Sequence, residues 1–483
     1  MQSVKSLYDT RALIWSIVAF LGLCLAMKVT GGSGFLLILP FVFIGFSRNR
    51  VEVLLYCLMA TTLLTITNMY LAPKDMVFSI LNRMIYVVVG GVMSLQLIAQ
   101  RRTKITSPLL SLFPFITYMA IVSSVGWNPM ISYMKLILFI VTFLAFYSVS
   151  NAVTMNMRVS PPKIRGMFLA LSCIVIIGSM CLLPFPGIGM MNVTQFFLSH
   201  GYYPEGSLFM GIMMQSQALG PTVAVLSVVL LADLFFSVRR WNVLYITLLV
   251  CSAILIYKTS SRTAMGTFLA GIAFVGFIFM CSKGIGGRWK SRVLGVLMLI
   301  VMLAGFVFLL TPRMRTAALM FVYKTNESAV VEGEGGVDRI VASRQGLMDN
   351  AMNNFRASPW IGNGFQVSEV MAGRATYSWR QLLSAPIEKG VWVSAVLEEG
   401  GILGMMFFVM FILVSFVLLL SRHAFMGSAA LFVLLVSNFG EFTFFSMSAM
   451  GGIFWCVIFI ALIMDAQRLA ERKVVSPLLY YAG

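Results

Sequence analysis

Charge is what this sequence has least of: Asp, Glu, Lys and Arg together make up 11% of 483 residues, and only two histidines are present. With 59% hydrophobic residues and a mean hydropathy of +0.92, most of the chain is stable only where its surroundings are apolar, which means a lipid bilayer. A lone secretory signal is excluded because apolar runs recur to the C-terminus, so the first reads as an uncleaved spanning helix. Cysteine is scarce too. Cys24, Cys57, Cys173, Cys181, Cys251, Cys281 and Cys456 lie in or beside apolar runs without metal-ligand spacing, which argues against disulfides and metal clusters. No Asp-x-Asp pair or histidine cluster asks for a metal, and no cofactor is expected. Acidic residues number 17 against 35 basic ones, a net charge of +18 that would suggest nucleic acid in a soluble protein. Here its placement along the chain matters more, and no nucleic-acid partner is expected.

What is present is a series of runs long enough to cross the hydrocarbon layer as helices, about 17 to 25 residues each. Fourteen are read at about 12–28, 33–47, 51–71, 77–99, 107–126, 131–153, 166–185, 216–237, 241–258, 263–282, 292–311, 400–420, 424–440 and 446–465. The second and thirteenth are the weakest, giving a range of 12–14. Sides follow from the excess of Lys and Arg in cytoplasmic loops. With the N-terminus inside, the inner segments hold 20 of the 35 basic residues, while the short outer loops hold only Lys28, Lys74, Lys258 and Arg262. The alternation holds at every crossing, so both termini are expected in the cytoplasm.

The expected organisation is therefore an all-α polytopic protein. Residues 1–185 carry helices one to seven, 186–215 a first long periplasmic loop, and 216–311 helices eight to eleven. A large, partly helical periplasmic loop at 312–390, helices twelve to fourteen at 391–465 and a cytoplasmic tail at 466–483 complete it.

This assignment puts "YKTSSRTAMG", from Tyr257, on the outer face, where the positive-inside bias gives no reason for a basic residue. Two readings stand. Lys258 and Arg262 snorkel toward lipid headgroups, or, with Ser261 and the neighbouring hydroxyls, they bind a phosphate-bearing ligand through the forked donors of the arginine. The first long outer loop carries His200. The second holds nine basic residues, Arg313, Arg315, Lys324, Arg339, Arg344, Arg356, Arg374, Arg380 and Lys389, too many for a passive connector. Within it a helical pattern runs from Asp338 to Phe355, with Ile340, Leu347, Met348, Ala351 and Phe355 on one apolar face and Arg344 in its middle. That guanidinium pairs with a loop carboxylate such as Asp349 or Glu369, or it binds a ligand. "SPWIGNGF", from Ser358, then breaks the helix and returns the chain toward the membrane. Glu398 and Glu399 fall where the chain reaches the bilayer and Glu441 near the outer turn before the last helix. Acids at that depth are functional suspects, or they neutralise Arg262 or Arg344 structurally.

These features resemble the O-antigen ligase and polymerase superfamily of bacterial inner-membrane glycosyltransferases. The resemblance rests on "SSRTA" (Ser260 to Ala264) opening an outer helix end, the large outer loop, its pattern from Arg344 to "SPWIGNGF", and E-x-G-x-x-G at Glu399, Gly401 and Gly404. It spans about residues 200–460. Ligases of the group carry a His-Asn pair nine residues before that glutamate; Gly390 and Val391 stand here, beside Lys389, which favours a polymerase over a lipid A core ligase. The resemblance implies a GT-C-like fold in the inner membrane and transfer of a glycan from undecaprenyl pyrophosphate to a sugar hydroxyl, without nucleotide sugars or metal. The partners it implies are the lipid-linked donor, a lipid-linked or lipid A core acceptor, membrane lipids, and a chain-length regulator or other assembly protein. Such chemistry needs charge stabilisation on the leaving diphosphate, for which Arg262, Arg344, Lys258, Arg339, Lys389 and Ser261 are the candidates. It also needs a base: Glu399 first, Glu398 second, with Glu388, His200 and Glu441 as further candidates. The rival of another class is a lipid-linked glycan flippase or transporter, for which intramembrane Arg83, Lys135 and Asp233 would suit a path. The chain lacks the two similar halves usual in transporters. A non-catalytic assembly scaffold would not need outer arginines.

Overall fold

The first helix opens at Asp9, whose carboxylate accepts from the backbone N–H groups of Arg11 at 2.9 Å and Ala12 at 3.3 Å. The computed structural model describes residues 8–100, 107–155, 159–190, 209–237, 242–259, 261–282, 337–367, 391–440, 442–446 and 449–480, with the side chains of 97–100, 107, 337–345, 449 and 471–480 left aside. The helices are α1 (Thr10–Thr30), α2 (Leu39–Ser47), α3 (Val51–Ile66), α4 (Met76–Gln100), α5 (Phe113–Val125), α6 (Pro129–Met155) and α7 (Pro161–Cys181). After them come α8 (Ser216–Phe236), α9 (Val243–Lys258), α10 (Arg262–Cys281), α11 (Val337–Ala357), α12 (Trp392–Ser421), α13 (Phe425–Ser437) and α14 (Ala449–Tyr480). Pro161 starts α7 and Ser261 caps α10, accepting from the Ala264 N–H at 3.2 Å. Among the described residues there are no strands, only isolated bridges between Thr67 and Met213 and between Met190 and Phe209.

Among the described residues, nine helical stretches are long and apolar enough to cross a membrane, and Val51–Ile66, Val243–Lys258 and Phe425–Ser437 are shorter apolar helices. The protein is a multi-pass helical membrane protein. The first two expected spans form one helical stretch of 38 residues, Thr10–Ser47, with 3-10 turns at Gly31–Ile38 between α1 and α2. The expected span at 292–311 lies outside the described residues. The twelfth begins at Trp392, earlier than its expected start at 400, because Glu398 and Glu399 lower the local hydropathy although both are buried inside the helix.

At one end of the bundle, α1 meets α7 where the Asp9 N–H donates to the Pro162 carbonyl at 2.8 Å, and Lys163 pairs with Glu52 at 2.8 Å. Deeper at that end, Arg165 grips Asp233 through Nε at 2.9 Å and Nη2 at 3.2 Å, and the Tyr245 hydroxyl donates to the same carboxylate at 2.6 Å. Asp465 accepts from the Gly427 N–H at 2.8 Å and pairs with Arg468 at 3.2 Å. The opposite end holds the C-termini of α1, α3, α5, α7 and α13 and the N-termini of α4, α6, α8, α10 and α12. Links there include Lys28 to the Tyr70 carbonyl at 2.8 Å and the Asn68 N–H to the Ile212 carbonyl at 2.6 Å. Lys74 belongs to this end, its ammonium donating to the Thr65 carbonyl at 2.6 Å.

Burial pushes Lys74 down to about 7. An unfolded lysine titrates near about 10.4, so between these values the unfolded chain holds the extra proton and stability rises with pH. Below about 7 the penalty of burying the charge is fully present. The thermal midpoint of the purified protein is therefore expected to climb from pH 7 to pH 9 relative to that of Lys74→Met, and parallel pH profiles for the two would refute this.

Candidate active site

The site is built on a helix that breaks. Inside α12, Gly401 has φ 64° and ψ −163°, which interrupts the ladder of backbone hydrogen bonds. An unbroken helix would bond the N–H groups of Ile402 and Leu403 to the carbonyls of Glu398 and Glu399, four residues earlier. Instead the segment from Ser358 supplies the partners. The Asn363 N–H donates to the Glu398 carbonyl and the Gly364 N–H to the Glu399 carbonyl, both at 3.0 Å. In return the Pro359 carbonyl accepts from Ile402 at 2.9 Å and the Trp360 carbonyl from Leu403 at 3.2 Å. The loop after α11 thus satisfies all four groups that the break exposes, which is how irregular backbone is tolerated within a membrane bundle.

The sequence at this joint follows from its crowding. A Cβ on Gly401 would lie 2.4 Å from the Trp360 carbonyl carbon, and one on Gly362, itself at φ 77°, would lie 2.4 Å from the Glu399 carbonyl oxygen. At Gly404 a Cβ would meet the Tyr118 ring at 3.2 Å, and the Tyr118 hydroxyl donates to the Gly400 carbonyl at 2.9 Å. These contacts give E-x-G-x-x-G and the glycines of "SPWIGNGF" one physical cause. Phe365 then anchors the loop in the bundle. It is fully buried, with ring centroids 6.0 Å from Phe139 and 5.6 Å from Phe445.

Both acids are buried, each 2% exposed. The Asn354 side-chain amide, on α11, donates to Glu398 Oε1 at 2.8 Å. The Asn363 side-chain amide donates to the Asn354 carbonyl at 3.0 Å and to the Glu398 carbonyl at 3.2 Å. Of the expected apolar face of α11, Ala351 is buried and Leu347, Met348 and Phe355 are half-buried, while the side chain of Ile340 lies outside those described. Arg344 stands in α11 seven residues before Ala351, and Arg339 lies one turn nearer its start. Lys135 is buried on α6, its ammonium 3.5 Å from the Gln366 carbonyl, while the Gln366 amide donates to the Phe445 carbonyl at 2.8 Å.

The turn carrying Arg262 reaches the same end of the bundle. Arg262 is the first residue of α10 and half-buried, Lys258 ends α9 exposed, and the Ser261 hydroxyl oxygen serves as the helix cap. This turn is wedged between two glycines. A Cβ on Gly220 of α8 would lie 2.8 Å from Thr259 Oγ1, and one on Gly440 would lie 1.8 Å from Thr263 Oγ1. Two residues before Gly440, the Asn438 carbonyl accepts from the Trp392 N–H at 3.1 Å, at the start of the helix that carries Glu398. The chain from Asn438 to Gly440 therefore ties the Arg262 turn to the base of α12. Of the other candidates, His200, Glu388, Lys389 and Glu441 lie outside the described residues, as do the side chains of Arg339 and Arg344.

What this end of the molecule offers is a helix N-terminus led by an arginine, and two buried carboxylates on a broken helix bound to α11. Residues 247–409 match a family model described as O-antigen ligase, a stretch that runs from α9 through Arg262 and α11 into α12. The matched residues include the three motifs on which the resemblance to the O-antigen ligase and polymerase superfamily rests. Comparison with curated proteins found no match. The sequence did not single out Asn354 or Tyr118. Neither falls in a motif, and only the contacts with α12 reveal them.

Proposed function

We propose that the protein is a polysaccharide polymerase that works at the periplasmic face of the bacterial inner membrane, with both termini in the cytoplasm. It transfers a glycan from undecaprenyl pyrophosphate to a sugar hydroxyl of a lipid-linked acceptor. One observation carries the reading: the Arg262 turn and the start of α12, the helix that carries Glu398 and Glu399, meet the same short segment, Asn438 to Gly440, at one end of the bundle. The alternation of Lys and Arg assigns that end to the outside.

In the reaction the acceptor hydroxyl oxygen attacks the anomeric carbon, the bond from that carbon to the diphosphate oxygen breaks, and its electron pair leaves with the diphosphate. The hydroxyl proton passes to a carboxylate of the Glu398–Glu399 pair. Arg262 leads a helix whose first N–H groups also favour an anion, and it binds the diphosphate with Lys258 and with Arg344, Arg339 and Lys389 of the outer loop. Positioning and charge stabilisation supply the catalysis, since the leaving group is already activated. Polymerase is preferred to ligase because Gly390 and Val391 occupy the place of the ligase His-Asn pair. Against a flippase stands the tight hold of Arg165 and Tyr245 on Asp233, which gives that acid a structural role.

The deciding experiment offers purified lipid-linked repeat units to the reconstituted protein, with lipid A core as an alternative acceptor. Longer lipid-linked glycan supports a polymerase, glycan on lipid A core a ligase, and unchanged glycan moved across the bilayer a flippase.

A further inference from the structure

We infer that Asn354 is a positioning residue for Glu398, and that Glu398 is the member of the acidic pair that takes the acceptor proton. The inference rests on the polymerase reading and sharpens it. Glu398 lies on a membrane helix, whereas Asn354 lies on α11, in the outer loop. The two meet only because the segment from Ser358 to Gly364 fills the break in α12. Their contact is the one described hydrogen bond between a polar side chain of α11 and either acid, at 2.8 Å.

The geometry is that of a bracket. Asn363 donates from one amide group to the Asn354 carbonyl and to the Glu398 carbonyl, so the backbone of donor and acceptor is held from one point. The Asn354 amide then fixes the end of the Glu398 side chain. The donated N–H holds Oε1 and so sets the plane in which the carboxylate lies beneath α11. The donor also arrives from the outer loop, the side from which a periplasmic acceptor sugar must come. Arg344 stands on the same helix, so one rigid element would set the carboxylate and carry a cation for the leaving group. A merely structural asparagine would need only its volume; a positioning one needs its N–H.

The test uses full-length protein in nanodiscs with lipid-linked repeat units, measuring kcat and KM for Asn354→Ala, Asn354→Asp and Asn354→Gln, with Asn353→Ala as control. Asn353 is exposed and its amide oxygen accepts only from Arg356, at 3.3 Å, among described contacts. The expected result is a fall in kcat of about 100-fold for Ala with KM little changed, since a small misplacement of a reacting group has an effect of this order. Asp, which matches Asn in size but cannot donate when ionised, is expected to fall at least as far. Gln, which keeps the amide donor, should recover part of the rate, and Asn353→Ala should match the unsubstituted protein. Thermal midpoints taken alongside identify any variant lost to misfolding, in which case the Gln variant carries the decision. Wild-type kcat in the Asp variant, or a change confined to KM in the Ala variant, overturns the inference while leaving the polymerase reading intact. Failure of the unsubstituted protein to elongate glycan overturns the reading itself.

Discussion

Replacing Arg262 by Ala is expected to lower glycan elongation by at least about 100-fold, the scale on which removal of a single charge-stabilising donor acts, while the protein remains folded in the membrane. The fold tolerates the change because Ser261, and not Arg262, caps α10, and because alanine suits a first helical turn. What is lost is a guanidinium at the positive end of a helix, where a second anion-binding element is already in place. Arg262→Lys should fall between the two: the charge survives, but the fork that engages two phosphate oxygens does not. Elongation assays on membranes with matched protein levels measure all three. Undiminished elongation in the Ala variant would remove Arg262 from the site.

The second large effect is expected at the joint. Gly401 adopts φ 64° and ψ −163°, a conformation open essentially to glycine and costing any other residue about 1–3 kcal/mol. A side chain there also meets the Trp360 carbonyl carbon and oxygen at 2.4 Å, and backbone cannot swing aside as a flexible side chain would. Gly401→Ala should therefore expel the Ser358–Gly364 segment, leave four backbone groups without partners in an apolar setting, and abolish both the Asn354 contact and activity. Gly362→Ala strikes the same joint from the other side, through the Glu399 carbonyl at 2.4 Å. The two together should cost less than the sum of each alone, because one interaction is lost. Gly91→Ala, whose Cβ would meet nothing within 4 Å inside α4, should leave the thermal midpoint unchanged or slightly raised. A Gly401→Ala protein with wild-type midpoint and elongation would contradict this account of the joint.

Much of the architecture was legible because hydropathy and basic residues act over whole segments. Every expected span within the described residues falls on a helix, and the ends that the Lys and Arg pattern groups on one side do meet one another. Boundaries were less legible. Two buried glutamates masked the first turns of α12, and the first two expected spans are joined not by a loop but by 3-10 turns that start at Gly31, φ 70°. At the site, "SSRTA", "SPWIGNGF" and E-x-G-x-x-G were each visible as words, but nothing in them says that the second completes the third. That complementarity is between backbone groups, which leave no side-chain pattern beyond the glycines. Asn354 was invisible for a related reason: on a helical wheel it is an ordinary polar residue beside an apolar face, and only a partner 44 residues later gives it a role. Glu398, second in order when read from the motif, gains its place from that contact.

The central claim, that the outer mouth of the bundle holds a diphosphate through Arg262, is tested most directly by binding. Native mass spectrometry of the purified protein with undecaprenyl pyrophosphate and, separately, undecaprenol would compare wild type with Arg262→Ala. The account predicts strong retention of the diphosphate lipid by wild type, its loss in the variant, and weak, equal binding of the alcohol by both. Equal retention of undecaprenyl pyrophosphate by the two proteins would contradict it.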